Sequence, residues 1–212
     1  MMPITVLIRT GARIITNPAL IWRANARLRF SEPVAVRLAT QPNVWKVGGL
    51  GAVIRWAVVD TSLGQMLVAS SEKGICRLSF DEDEGALLRR FPRAQILAAD
   101  ANMADLAKQA AAAVENPAQM PDLPVDIAGT AFQEAVWQEL RRIPPGETRS
   151  YAQIAAAVGK PSAVRATGSA NGANSVAILI PCHRVVRSDG SLGGYAYGLH
   201  RKAKLLERER AV

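Results

Sequence analysis

Short apolar runs alternate with glycine turns between residues 54 and 80. The runs cover residues 54–60, 65–70 and 75–80, and Gly64 and Gly74 lie in the turns between them. Strand-length apolar segments separated by such turns are typical of an antiparallel meander. The pattern therefore predicts a three-stranded antiparallel sheet, with ordered structure beginning near Ile54.

After the meander the pattern becomes helical. Residues 81–90 carry acidic side chains first and arginines last, which suits the dipole of a helix. Residues 103–115 predict a second, alanine-rich helix. Pro117, Pro121 and Pro124 follow and predict a linker, because closely spaced prolines interrupt regular structure.

Capping signals begin the helices of the last third. Residues 130–133 and 150–153 each place a Thr or Ser three residues before a Gln, as in a capping box. Ser162 is predicted to cap a further helix that runs to about residue 170. Residues 150–170, with Gly159 at the turn, therefore predict a helix-turn-helix.

The second helix of that pair carries mostly small side chains, and Arg165 is its one long side chain. A helix of this kind can approach DNA closely enough to enter the narrow minor groove. The alternative is a tight helix–helix contact that needs small residues, and the sequence leaves both open. The small residues are Ala163, Ala166, Gly168, Ser169 and Ala170.

Length and pattern together predict an α+β chain. Its 212 residues suffice for one large domain or two small ones. We expect a small α/β domain over residues 51–126 and a helical domain over residues 127–212. No apolar run approaches the roughly 18 residues that a membrane-spanning helix needs, so no membrane association is expected.

The net charge of +8 is distributed unevenly. Residues 1–50 hold 7 basic and 1 acidic side chains, residues 51–130 hold 7 and 11, and residues 131–212 hold 12 and 6. A basic C-terminal part beside an acidic middle suggests a module that faces a polyanion, joined to a supporting module. A chance asymmetry of a solvated surface is the alternative.

Residues 1–50 form an atypical basic extension with six arginines and Glu32 as the one acid. An arginine-rich, acid-poor N-terminus can be a transit peptide. We expect instead a poorly ordered extension, or residues upstream of the true translation start, and assign it no chemistry.

The sharpest chemical signal is residues 178–186, where an apolar run leads into Pro181, Cys182, His183 and Arg184. The thiolate is the reactive form of cysteine, and a neighbouring His or Arg lowers the thiol pKa. Adjacent residues of an extended chain point to opposite sides, so a Cys182–His183 contact needs a bend or a bridging water. The alternative is a buried, inert packing cysteine, which composition alone favours.

Cys76 is interpreted as such a packing residue. The two cysteines lie 106 residues apart with no spacing pattern, so no disulfide framework is expected. A reducing, intracellular compartment follows.

The segment 181–185 resembles the active-site motif of the O-6-alkylguanine DNA alkyltransferases, also called methylated-DNA–protein-cysteine methyltransferases. The resemblance covers about residues 55–209 and is strongest to the C-terminal repair half of the bacterial adaptive-response regulator. Further motifs agree in order and spacing: residues 129–133, 136–137, 143–144, 146–148, 150–151, 159–161, 163–166, Asn174, 205–206 and Glu209.

The resemblance implies direct reversal of DNA damage. Cys182 would take the alkyl group from O-6-alkylguanine, and from O-4-alkylthymine as well, in a single-turnover reaction. His183 would act as its base through a water, and Glu209 would orient His183. Asn174 would tie the recognition helix to the active-site loop, and Tyr151 would donate a proton or hydrogen bond to the guanine.

The family also implies a DNA interface and a pocket. Arg165 would fill the gap left by the flipped nucleotide, and Ser150, Tyr151 and Ala166 would contact the DNA. The pocket would be formed by Val185, Tyr195, Ala196 and Tyr197, and the bulk of Tyr197 would disfavour large adducts. The sheet domain would be ribonuclease-H-like. The implied protein is a cytoplasmic monomer without metal or cofactor, nucleoid-associated when bound to the minor groove of double-stranded DNA.

Four other interpretations compete with this one. An alkyltransferase-like protein that only binds damaged DNA would lack Cys182, and a helix-turn-helix regulator would need no Pro-Cys-His segment. A cysteine hydrolase would use the same combination of a cysteine, a histidine and an acidic residue. A zinc site of Cys76, Cys182, His183 and His200 has the right ligand count but no usual spacing. The four-cysteine zinc domain of the full regulator has no cysteines here to form it.

Overall fold

The computed structural model describes residues 9–10, 13–14, 43–117 and 119–210. Most of the predicted basic extension therefore lies outside the described residues. Trp45 packs against Phe91 with ring centroids 5.1 Å apart, and its indole donates to Asp126 at 3.3 Å. Ordered structure thus begins before the predicted Ile54.

The predicted meander is present, and the sheet extends beyond it. Its strands are β1 (Arg9–Thr10), β2 (Arg13–Ile14), β3 (Val53–Thr61), β4 (Gly64–Ser71), β5 (Gly74–Phe80) and β6 (Gln95–Ala98). The order is β2-β1-β3-β4-β5, all antiparallel, and β6 pairs in parallel with β3. The α+β class is confirmed.

Three helices accompany this sheet: α1 (Asn43–Lys46), α2 (Glu84–Arg90) and α3 (Ala101–Glu115). Asp83 and Asp100 cap α2 and α3, each accepting a hydrogen bond from a backbone N–H two or three residues into the helix. The small buried side chains of α3, among them Ala107 and Ala110, let that helix lie close against the sheet.

The C-terminal part is mainly helical. It contains α4 (Ala131–Arg141), α5 (Tyr151–Ala157), α6 (Val164–Gly172), a 3₁₀ turn (Cys182–Arg184) and α7 (Leu199–Arg210), with a small parallel ladder of β7 (Arg149–Ser150) and β8 (Val185–Val186). Both predicted capping boxes are formed, at Thr130 and Ser150.

The predicted cap of α6 is wrong. Ala163 occupies the cap position, and no side chain caps the helix. Ala163 N donates to Lys160 O at 2.8 Å, which closes a turn that contains Ser162. Ser162 therefore lies one residue too early to reach the free N–H groups of the first helical turn.

The edge of β5 connects the two parts of the chain. Leu78 N donates to Ser175 O at 2.9 Å, and Ala177 N donates to Leu78 O at 3.1 Å. The segment that leads to Cys182 thus continues the sheet. On the other side, Trp137 of α4 donates to Ala170 O at 2.9 Å and fixes α6.

Candidate active site

Cys182 lies at the first residue of the 3₁₀ turn and is 5% exposed. Pro181 has φ −78° and ψ 61°, and Cys182 N donates back to Ile180 O at 2.7 Å. The chain therefore bends sharply at the cysteine. The thiol borders a cavity of about 220 Å³. The cavity is lined by Tyr151, Gly168, Asn171, Gly172, Asn174, Cys182, Gly194, Tyr195, Ala196 and Tyr197.

Asn174 closes the loop in front of the cysteine. Its Oδ1 accepts from Val176 N at 3.0 Å, and its Nδ2 donates to Ile180 O at 2.9 Å. Between them, the buried Ile178 has φ +72°, a left-handed conformation that costs a β-branched residue energy. One amide thus holds a strained loop closed at both ends.

His183, Arg184 and Glu209 form a buried charged cluster behind the thiol. His183 Nε2 lies 2.9 Å from Glu209 Oε1. Arg184 donates to both carboxylate oxygens, at 2.8 to 3.2 Å, and also to Ile143 O at 2.6 Å. Because a carboxylate only accepts, Nε2 carries the proton and the neutral ring presents Nδ1 as an acceptor. Among the described residues Nδ1 has no protein partner.

The electrostatics favour a neutral thiol and a neutral imidazole beside an ionised Glu209. Burial raises the pKa of the Cys182 thiol, and a hydrogen bond from Asn174 and the charge of Lys202 offset part of that rise. Burial lowers the pKa of His183 below its ordinary value, against the influence of Glu209. Burial would raise the pKa of Glu209, but the hydrogen bonds from His183 and Arg184 keep it below its usual value.

Lys202 is fully buried beside the cavity wall. Its ammonium donates to the carbonyls of Val185 and Leu192 and, at 3.4 Å, to that of Gly194. Burial lowers its pKa to about 8. Three carbonyls from two segments thus converge on one cation, which fixes both segments against α7.

Helix α6 forms one wall of the cavity. Its inner face buries Thr167, Ala170 and Asn171, while Arg165 and Ala166 on its outer face are exposed. The inner face therefore fits the interpretation of a tight helix contact. The exposed outer face, with its small side chains, leaves the minor-groove interpretation a prediction.

Two family models match the chain over most of its described length. The 6-O-methylguanine DNA methyltransferase ribonuclease-like domain matches residues 54–127, and the DNA binding domain of the same family matches residues 131–211. The methylated-DNA–protein-cysteine methyltransferase of Methanosarcina barkeri is 41% identical over 152 residues, which cover 72% of this chain and 94% of that protein. The chain belongs to this family.

Three further proteins similar to this chain agree with that family. The bifunctional transcriptional activator/DNA repair enzyme Ada of Escherichia coli is 49% identical over 166 residues, covering 76% of this chain and 47% of Ada. The chain spans about half the length of that relative and of the Salmonella typhimurium regulatory protein ada. The crystal structure of Mycobacterium tuberculosis OGT in complex with DNA is 35% identical, with a TM-score of 0.61, and covers 75% of this chain and 93% of that one.

The structure brings most residues implied by the alkyltransferase resemblance together. Tyr151, Asn174, Tyr195, Ala196 and Tyr197 line the cavity with Cys182. His183 and Glu209 lie buried behind it, as does Val185. Ser150, Arg165 and Ala166 do not line the cavity; Ser150 caps α5, and the other two lie on the outer face of α6.

Sequence reasoning missed two contributors, Arg184 and Lys202. Arg184 stands within the motif, where it was expected to lower the thiol pKa; in the structure it pairs instead with Glu209, a contact that depends on the tertiary fold. Lys202 left a signal, because it lies on the same helical face as Leu205, Leu206 and Glu209. A charged side chain on an apolar stripe indicates a buried, bonded cation.

The described residues meet neither the requirements of a metal site nor those of a membrane-spanning helix. Within residues 43–117 and 119–210, no group of three or more His, Cys, Asp or Glu side chains is placed to hold a metal ion. The zinc interpretation therefore finds no site there. No helix in the described part of the chain is long and apolar enough to cross a membrane.

Proposed function

We propose that this chain repairs DNA by moving the alkyl group of O-6-alkylguanine irreversibly onto its own Cys182. The observation that carries the proposal is the Cys182 thiol, which borders a cavity of about 220 Å³ and is backed by the buried His183–Glu209 pair. Membership of the alkyltransferase family supports the same reaction.

The proposed reaction begins with proton transfer. The Cys182 proton passes to Nδ1 of His183 through a water, and Glu209 stabilises the imidazolium that forms. The thiolate attacks the alkyl carbon, so that an S–C bond forms and the C–O bond breaks. The electron pair of that bond goes to the guanine, which takes a proton from Tyr151.

Tyr151 is suited to hold its proton until the thiolate forms. It is half-buried on α5 and lines the cavity. Burial raises the pKa of its hydroxyl, and the nearby Cys182 adds to the rise. The other described residues that line the cavity are tyrosine, asparagine, alanine and glycine, none of which cleaves a stable thioether, so one chain would repair one base.

The proposed substrate is double-stranded DNA with the damaged nucleotide flipped into the cavity. The exposed, small-residue face of α6 would enter the minor groove, and Arg165 would occupy the vacated position in the stack. Ser150, Tyr151 and Ala166 would contact the DNA alongside it. Val185, Tyr195, Ala196 and Tyr197 would enclose the base.

We extend the proposal to the organisation of the chain. Residues 51–126 would form the supporting domain and residues 127–212 the DNA-binding and catalytic domain, with helices α5 and α6 as the helix-turn-helix. The proposed protein acts as a monomer in the cytoplasm and associates with the nucleoid when bound to DNA. O-4-alkylthymine is a second proposed substrate.

Intact mass spectrometry tests the reaction. After incubation with a duplex that carries O-6-methylguanine, the chain should gain one methyl group, about 14 Da. Cys182→Ala should abolish the gain, whereas Cys76→Ala should retain it because burial raises the pKa of Cys76 to about 12. Tight lesion binding without a gain of mass would instead indicate a non-catalytic damage-binding protein.

A further inference from the structure

Arg201 of α7 lies behind the cavity wall and is nearly buried, at 8% exposure. Its guanidinium makes directed contacts with three separate segments. It donates to Leu63 O at 2.7 Å, to Tyr197 O at 3.0 Å and to Asp81 Oδ1 at 3.0 Å. One side chain therefore joins α7 and the cavity wall to the β3–β4 turn and to the end of β5.

Aromatic packing continues this connection into the cavity. The Arg201 guanidinium lies 4.9 Å from the ring centroid of Phe80, and Phe80 meets Tyr197 edge to face at 5.7 Å. Tyr197 in turn meets Tyr195 edge to face at 5.6 Å. Tyr197 of the cavity wall thus packs on Phe80, whose ring face Arg201 covers, and Tyr195 packs on Tyr197.

Two unusual backbone positions accommodate the guanidinium. Gly64 has φ +109°, and a Cβ there would lie 2.8 Å from Arg201 Nη2. Asp81 has φ +55°, a left-handed conformation that aspartate tolerates better than most residues. Gly64 begins β4 at the β3–β4 turn and Asp81 follows the end of β5, and the absence of a side chain at Gly64 leaves room for the Arg201 guanidinium.

We propose that Arg201 is a positioning residue that locks the Tyr195–Tyr197 wall and thereby limits the size of the alkyl group that the cavity accepts. The inference rests on the proposed function. A methyl group fits beside the locked wall, whereas a benzyl group needs Tyr197 to move. Displacement of the Tyr197 backbone breaks its carbonyl contact with Arg201, and displacement of its ring disturbs the edge-to-face contact with Phe80.

Arg208 provides a matched control on the same helix. It also joins α7 to the sheet side, because it donates to Val114 O and to Ser62 Oγ, both at 2.6 Å. None of its contacts reaches Tyr195 or Tyr197. Loss of Arg208 therefore removes a comparable bridge without releasing the wall.

The experiment measures transfer rates from O-6-benzylguanine and O-6-methylguanine placed in the same duplex, so that effects on DNA binding cancel in their ratio. In Arg201→Gln the benzyl-to-methyl ratio should rise about tenfold, which is the equivalent of one or two hydrogen bonds. In Arg208→Gln it should stay at the wild-type value. Asp81→Asn, which keeps the side-chain shape, should give a smaller rise and serves as the test if Arg201→Gln does not fold.

An unchanged or lower ratio in Arg201→Gln, or in Asp81→Asn where Arg201→Gln does not fold, would overturn the proposal. An equal rise in Arg208→Gln would do the same, because it would show that any loosening of α7 suffices. Failure of the wild-type chain to take up a methyl group at all would be a separate result, and would refute the proposed function itself.

Discussion

Glu209→Gln is the substitution that most directly tests the buried cluster behind Cys182. The Glu209 side chain is fully buried and is shared by His183 and Arg184. Glutamine has nearly the same shape but no charge, and one of its two terminal atoms can only donate. Arg184, whose side chain is 3% exposed, would then keep a buried positive charge without its counter-ion.

The expected cost is large. Removing one partner of a buried ion pair costs about 3–5 kcal/mol, because the remaining charge stays desolvated. Two further contacts suffer, since the donor–acceptor pattern at His183 changes and Gly146 N loses its carboxylate partner at 3.4 Å. A small domain is stable by only about 5–15 kcal/mol, so this loss is a substantial part of the total.

Urea unfolding at neutral pH measures the change, and Glu207→Gln is the control. Glu207 lies on the same helix but is exposed and contacts only Lys204. Its replacement should leave the unfolding midpoint unchanged. If Glu209→Gln lowers the free energy of unfolding by less than about 1 kcal/mol, the cluster is not the stabilising unit described here.

The same variant has a pH signature. The lowered pKa of Glu209 means that its stabilising contribution is complete above the ordinary glutamate pKa and is lost as the pH falls through the lowered value. Burial keeps His183 neutral, so the unfolded chain takes up that proton first and stability already declines below about pH 6.5. The wild-type chain should lose stability in both ranges, whereas Glu209→Gln should lack the more acidic loss.

Three further predictions concern other parts of the chain. Thr130→Ala should cost about 1 kcal/mol in thermal unfolding because it removes a capping box, whereas Ser162→Ala should cost nothing measurable, and equal effects would contradict the observed caps. Trp137→Phe should cost about 1–3 kcal/mol in urea unfolding, since the buried Ala170 carbonyl loses its donor; a neutral result would mean that this bond does not fix α6. The single-turnover rate of methyl transfer should fall on acidification as His183 becomes protonated, at a pH below the ordinary imidazole value; a rate that does not fall at any acidic pH at which the chain remains folded would exclude His183 as the base.

Local signals in the sequence predicted the elements that depend on local interactions. The meander strands and both capping boxes formed as expected, because turn glycines and capping side chains act within a few residues. Strand β6 was missed, since residues 95–98 become a strand only by pairing in parallel with β3. The cap of α6 was mistaken because the turn at Lys160 displaces Ser162 by one position.

The sequence predicted the candidate site residues only where they lie in one short segment or match a motif of the family. The Pro-Cys-His segment alone left Cys182 open between a reactive and a packing cysteine, and the family resemblance implied the roles of Cys182, His183, Glu209 and the tyrosines, which stay predictions. Arg184, Lys202 and Arg201 were missed for one reason. Each acts by donating to atoms that lie 4 to 138 residues away in the sequence, so only the fold reveals which atoms these are.

The sheet directly contacts the segments that form the candidate site. Leu78 of β5 holds the segment that precedes Cys182 by two backbone hydrogen bonds. The same strand ends in Phe80 and is followed by Asp81, on which the cavity wall and Arg201 rest. Cys182 and the Tyr195–Tyr197 wall are therefore both positioned by β5 and the residue that follows it. A C-terminal fragment without β5 would keep Cys182, His183 and Glu209 yet lose the strand that holds their segment and the cavity wall, so under the proposed function we expect it to bind DNA more readily than it transfers a methyl group.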